Sequence, residues 1–257
     1  MEKTALITGA SSGLGLCLAK IFAREGYNVV LVARSEGKLN ELKAEIESKY
    51  KKTAYVCTAD LSSADSAGKI FEFTEQNKIS VDVLVNNAGF GDFGPFAESD
   101  LNKQTDMIAV NITALTQLCH LYMNPMIKRG SGKILNIASI AAFQAGPLMS
   151  VYYATKAFVL SLTEALSVEL RGTGVTATVV CPGPIKTGFE DSARLENSGL
   201  FKHLKNSTAE DVAEFSFKAL MKNKLIAIHG AGNRLTVTAS KFAPRRLVRY
   251  VAYLIQK

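Results

Sequence analysis

Tryptophan is absent from this 257-residue chain, histidine occurs three times, and the four cysteines never lie closer than 40 residues apart. Metal-ligand motifs need histidine or cysteine at short spacings, and a small disulfide scaffold needs far denser cysteine. Cys17, Cys57, Cys119 and Cys181 therefore read as small buried thiols in a reducing compartment, and no metal is expected. Proline occurs six times, and no Pro/Gly/Ser-rich linker or low-complexity tract divides the chain. Apolar runs are short. None approaches the roughly 18 residues of a membrane span, and MEKTALITGASSG has no basic stretch leading into a long apolar one. A soluble, cytoplasmic protein is expected.

Acidic residues are in deficit. Thirty Lys and Arg face 23 Asp and Glu, a net charge of +7. Such an excess raises nucleic acid, an anionic membrane or a phosphorylated ligand as partners. Its distribution decides among them. Residues 234–257 hold six of the basic residues and no acid, so without them the net charge is only +1. No DNA-reading helix or zinc motif accompanies the excess, and no nucleic-acid partner is expected.

What is present is alternation. TALIT (4–8), NVVLVA (28–33), TAYVCTA (53–59), VDVLVN (81–86), KILNIAS (133–139), VTATVV (175–180) and LIAIH (225–229) are short apolar runs rich in Val, Ile and Thr. Continuous runs of this kind suit strands buried on both faces of a parallel sheet. Between them, residues 13–26, 36–50, 63–78, 100–128, 150–171 and 208–222 carry helical periodicity. The expectation is a single α/β domain: a Rossmann-type, doubly wound, seven-stranded parallel sheet with helices on both faces. Its body is assigned to residues 1–233, and 234–257 to a basic amphipathic extension. The weakly periodic segment 183–207 reads as a functional lid.

The first strand runs into Thr8-Gly9-Ala10-Ser11-Ser12-Gly13-Leu14-Gly15, and a helix follows at once. Glycines permit a tight turn and close backbone approach to a pyrophosphate, while the helix N-terminus offers N–H groups and partial positive charge. Without a GK[ST] ending, a nucleoside-triphosphate loop is disfavoured. The second strand ends at Val32-Ala33-Arg34-Ser35, where an acidic residue would have favoured a free ribose 2′-hydroxyl. Arg34 suits a 2′-phosphate, with no carboxylate adjacent in sequence; Ser11 and Ser12 could add hydroxyl donors. Asp60, followed by Leu61, either contacts adenine or caps the next helix.

Tyr152 and Lys156 stand four apart, on one face of a helix. A tyrosine near pKa 10 is a poor acid or base at neutral pH, and a neighbouring ammonium lowers its pKa. The pair could handle the proton of a carbonyl/alcohol interconversion.

TGASSGLG, Asn86-Asn87-Ala88-Gly89, Asn111, Ser139, Tyr152-xxx-Lys156 and Pro182-Gly183-Pro184-Ile185-Lys186-Thr187 occur in one order, with Ser139 thirteen residues before Tyr152. From residue 3 to about 230 the chain resembles the short-chain dehydrogenase/reductase family, most closely NADP-preferring bacterial-type carbonyl reductases of unassigned substrate. The resemblance implies strand order 3-2-1-4-5-6-7, a nicotinamide cofactor, and a homodimer or homotetramer formed through the helices holding Asn111 and Tyr152. It also implies roles. Tyr152 would be the general acid in reduction. Lys156 would lower its pKa and hold the ribose hydroxyls. Ser139 would hold the substrate oxygen, and Asn111 would support a water chain. Asn87, Ala88 and Gly89 would line the adenosine side, and Pro182, Gly183, Ile185 and Thr187 the nicotinamide. NADP(H) is expected over NAD(H). A non-catalytic NADP(H) sensor on the same fold is the rival; it predicts loss of the Ser/Tyr/Lys set, which is complete here.

Phe93, Phe143 and Phe189 are candidates for an apolar pocket taking a hydrophobic ketone or aldehyde. In the tail, Pro244 opens a final helix. Leu247, Val248, Val251, Ala252, Leu254 and Ile255 fall on one side; Arg245, Arg246, Arg249, Gln256 and Lys257 fall on the other. Two readings stay open: the apolar side docks on protein, or residues 242–257 make peripheral contact with a membrane.

Overall fold

The computed structural model describes residues 2–186 and 207–257. Six βα units are built in order: β1 (Thr4–Thr8), α1 (Gly13–Arg24), β2 (Asn28–Ala33), α2 (Glu36–Tyr50), β3 (Ala54–Thr58), α3 (Ser66–Gln76) and β4 (Val83–Asn86) come first. Then α4 (Leu101–Ile108) and α5 (Leu115–Lys128) flank a π-helical turn, Ala109–Ala114. There follow β5 (Gly132–Ile137), a 3-10 turn (Ile140–Phe143), α6 (Ser150–Glu169), β6 (Val175–Cys181) and a two-residue strand β7 (Ile185–Lys186). Beyond the undescribed stretch lie β8 (Ser207–Thr208), α7 (Ala209–Met221), β9 (Ile226–Ile228), α8 (Ala231–Phe242) and α9 (Arg245–Gln256).

Seven strands form one all-parallel sheet in the order β3-β2-β1-β4-β5-β6-β9. The continuous apolar strands have a direct cause. Ala5, Ile7, Val29 and Leu31 face one core with α1, α2 and α7; Leu6, Val30, Val32 and Leu84 face a second core with α3, α5 and α6. Period-two side chains buried on both faces make the strand interiors apolar on successive residues rather than on alternate ones. All four cysteines are unpaired and buried.

The order reverses at β1, which pairs with β2 on one side and β4 on the other. That reversal opens a crevice beyond the carboxyl ends of the strands. Helix α8 was not anticipated: its first turn contains Gly232 and its interior Thr236, Val237 and Thr238, all weak helix signals. It crosses the 233/234 division. The lid reading of 183–207, and the positions Thr187 and Phe189, fall wholly or mostly outside the described residues.

Candidate active site

At the end of β1 the chain turns through Gly9, whose φ is +68°. Gly15 packs against it so closely that a Cβ there would run into the Gly9 carbonyl oxygen. Ser12, exposed and extended, makes no side-chain capping bond to α1, so the first-turn N–H groups around Gly13 and Leu14 face outward without a cap. Ser11 is half-buried in the same turn. Bare backbone, no Cβ and an uncapped helix start fit a pyrophosphate.

Thr8 and Asn87 tie this turn to β4. The Thr8 hydroxyl accepts from the backbone N–H groups of Asn87 and Ala88, both at 3.0 Å, and Asn87 Nδ2 donates to the Thr8 carbonyl at 2.9 Å. Thr8 was not among the candidate residues, although the motif containing it was.

Arg34 is exposed in the turn between β2 and α2, not within the helix. Asp60 uses Oδ1 to accept from the Ser62 backbone N–H at 3.0 Å and hydroxyl at 2.9 Å. It therefore closes a local turn, while α3 begins only at Ser66. Those bonds, and more weakly the charge of Arg34, hold its carboxyl below the usual carboxylate range. The sequence showed no carboxylate beside Arg34; the sheet supplies one, because Ala33 and Thr58 are register partners on adjacent strands. Leu61 is buried behind this turn.

Ser139, Tyr152, Lys156 and Asn111 converge beyond β5. Ser139 ends the strand and starts the 3-10 turn, its Oγ accepting from the Ala141 N–H at 3.1 Å. Its hydroxyl also hydrogen-bonds Tyr152. Lys156 is buried, donates from Nζ to the Ile137 carbonyl at 2.9 Å, and stands 5.7 Å from the Tyr152 ring centroid. Burial lowers its ammonium to about 8, with Cys181 acting weakly the other way. The Tyr152 phenol moves opposite to expectation. Burial pushes it above its ordinary value, outweighing the hydrogen bond from Ser139. Desolvation disfavours the charged phenolate.

Asn111 lies in the π-helical turn, 1% exposed. Its Nδ2 donates to the Phe90 carbonyl and the Thr155 hydroxyl, each at 3.0 Å, and its Oδ1 accepts from the Phe90 N–H at 3.1 Å. The side chain pins the loop after β4 to helix α6. Gly89 leaves room for this: a Cβ there would stand 2.9 Å from Asn111 Oδ1 and 3.4 Å from Lys156 Nζ.

Among the residues expected to line the nicotinamide, the carbonyl of buried Pro182 accepts from the Ile140 N–H at 2.9 Å. Ile185 lies in β7, paired to β8. Gly183 abuts Asn233 of α8, a contact the sequence reading missed. Thr187 is outside the described residues.

Of the candidate phenylalanines, the two described lie against different apolar clusters. Phe93 packs with Ala141, Met149, Tyr152 and Tyr153. Phe143 leans on the second core, with Lys241 Nζ 5.7 Å from its ring centroid. Phe189 is not described. Gln256, on the polar side of the α9 periodicity, is instead 1% exposed and donates to the Tyr153 hydroxyl at 2.8 Å. No pattern local to position 256 signals this contact, because its partner is 103 residues away. Among the described residues, no group of three His, Cys, Asp or Glu is placed to hold a metal.

Residues 3–198 match the family described as short chain dehydrogenase. The chain is 35% identical over 240 residues to a ketoacyl reductase, HetN, of Nostoc sp., covering 93% of this chain and 82% of that one. A short-chain dehydrogenase from Sphingobium yanoikuyae, solved with NADPH, superposes with a TM-score of 0.83 at 29% identity, covering 93% of both chains. A 7β-hydroxysteroid dehydrogenase structure gives a TM-score of 0.87 at 29% identity, covering 97% of this chain and 96% of that one. The converging Ser139, Tyr152 and Lys156, the bare glycine turn at the sheet's reversal and these matches lead to one conclusion: this chain belongs to the short-chain dehydrogenase family of nicotinamide-dependent oxidoreductases acting on CH–OH groups.

Proposed function

We propose that the protein is an NADPH-dependent carbonyl reductase, interconverting an apolar ketone or aldehyde with its alcohol. One observation carries the reading: the Tyr152 phenol is buried, hydrogen-bonded to Ser139 and set beside the Lys156 ammonium. A phenol kept neutral by burial is the protonation state a general acid needs. Tyr152 donates its proton to the substrate oxygen, Ser139 holds that oxygen within reach, and Lys156 holds the ribose hydroxyls. Asn111 fixes the loop carrying Gly89 and Phe90, and so the room above Lys156 and the line along which protons reach it. When bound, the nicotinamide supplies the hydride.

The cradle of Gly9, Ser11, Ser12, Gly13, Leu14 and Gly15 suits the pyrophosphate, and exposed Arg34 suits a 2′-phosphate. Phe93, Met149 and Tyr153 beside Tyr152 support an apolar substrate, as do relatives named for ketoacyl and hydroxysteroid groups. Unpaired buried cysteines support a reducing, cytoplasmic setting. Exposed Ile108, Phe158 and Val168 on α4 and α6 support a homo-oligomer formed there, testable by light scattering. Residues 1–233 would form the catalytic body and 234–257 an extension closing its substrate side. The direct test is a panel of ketones and aldehydes followed by NADPH absorbance. Turnover of apolar carbonyls is expected, and no turnover on any of them would overturn the reading.

A further inference from the structure

Helix α9 divides into three stripes. Val248, Ala252 and Gln256 succeed one another every fourth residue and turn toward the protein; Ala252 and Gln256 are buried. Arg245, Arg246, Arg249 and Lys257 form a second stripe at about 100° per residue. Leu247, Tyr250, Val251, Leu254 and Ile255 form the third, and all five are exposed. The helix therefore sits on the body by a narrow edge, and most of the face expected to dock stays open. At the α8–α9 junction Phe242 is 86% exposed. A contiguous open apolar face of this kind marks a contact surface.

Charge identifies what covers it. Residues 215–257 contain no Asp or Glu. Among the described residues, neither the three arginines of α9 nor Lys257 just beyond it forms an ion pair. A second copy meeting this face symmetrically would bring two arginine stripes together with no carboxylate from either helix. An anionic lipid surface meets both demands, since apolar side chains enter the headgroup boundary and flanking arginines meet lipid phosphates. Twelve residues of helix rise only about 18 Å, and no described helix is long and apolar enough to cross a bilayer. The helix would lie in the surface.

The anchor is also part of the substrate side. Gln256 bonds Tyr153, whose ring meets that of Tyr152 edge-on at 6.1 Å, and Lys241 of α8 covers Phe143. We propose that α9 is an interfacial anchor on anionic membrane, placing the substrate side against the bilayer so that the enzyme takes a membrane-dissolved carbonyl. The second half rests on the carbonyl-reductase reading; the first does not.

The test floats the full-length protein with phosphatidylcholine vesicles, with and without phosphatidylglycerol. A second sample carries Val251→Asp and Leu254→Asp, at exposed positions, with folding checked by circular dichroism and NADPH titration. The wild type should float with anionic vesicles about tenfold better than with neutral ones, and salt should weaken this. The double variant should lose flotation while keeping its cofactor affinity. Reduction of a bilayer-soluble ketone should rise with anionic vesicles in the wild type alone. Three results would overturn the anchor: a wild type that stays soluble, a variant that floats equally well, or a variant that only converts an oligomer to monomer. Flotation without reduction of any carbonyl supports the anchor and removes the substrate claim alone.

Discussion

Gln256 Nε2 donates to the Tyr153 hydroxyl at 2.8 Å, joining the penultimate residue of the chain to the immediate neighbour of Tyr152. Both side chains are buried, and burial pushes the Tyr153 phenol up to about 12, so it remains a neutral partner at any working pH. Gln256→Leu strands that hydroxyl, a loss of about 1–3 kcal/mol. Thermal unfolding should shift down, and KM for the carbonyl should rise with NADPH affinity unchanged. A variant with wild-type melting and KM would show that the contact positions nothing.

Tyr152→Phe removes the proton donor but leaves the ring packed against Phe93, Met149 and Tyr153. Turnover should fall by about 10²–10⁴-fold, with cofactor titration unchanged. Substantial remaining turnover would remove Tyr152 from the proposed chemistry.

Arg34→Asp places a second carboxylate near Asp60 where a 2′-phosphate would bind. The NADPH-over-NADH preference in kcat/KM should narrow by about tenfold or more, the worth of a charged hydrogen bond. An unchanged ratio would mean that Arg34 is only a solvated turn residue.

The pH profile follows from Lys156, lowered by burial to about 8. The ammonium is present below that pH and is lost above it. Because kcat/KM reports groups of the free enzyme, reductive kcat/KM should decline as pH rises through about 8. Lys156→Met should be slow throughout and lack that limb; a wild-type profile flat across this range would contradict the assignment.

Gly15→Ala drives a methyl into the Gly9 carbonyl oxygen. The turn or α1 must shift, at a cost of about 1–3 kcal/mol. NADPH affinity should collapse before the fold does, measured by titration beside circular dichroism.

Strand positions were legible because alternate residues of β1 and β2 face two separate cores, which leaves an unbroken apolar signature. The glycine turn and the Tyr152/Lys156 pair were legible because their spacing is local. What was hidden depends on partners distant in sequence. Asp60 reaches the neighbourhood of Arg34 through the register of β2 and β3. Gln256 acquires its role from Tyr153. Burial, invisible in a four-residue spacing, pushes the Tyr152 phenol upward. The periodicity of α9 separates arginines from apolar residues but misplaces Gln256, because the edge that touches the body, Val248, Ala252 and Gln256, depends on the approach angle of the helix, which periodicity does not encode.

The wide turn at Ala109–Ala114 makes the aim of Asn111 a matter of chain length rather than residue type. A π turn holds one residue more than α-helical winding needs. Deleting a single residue there would let α4 and α5 close into one regular helix, swinging Asn111 by about 100° away from Phe90 and Thr155. The helix would gain regularity while the loop above Lys156 lost its tether. In this fold, loss of one codon would release that loop while every strand and the Ser139, Tyr152 and Lys156 set kept their frame.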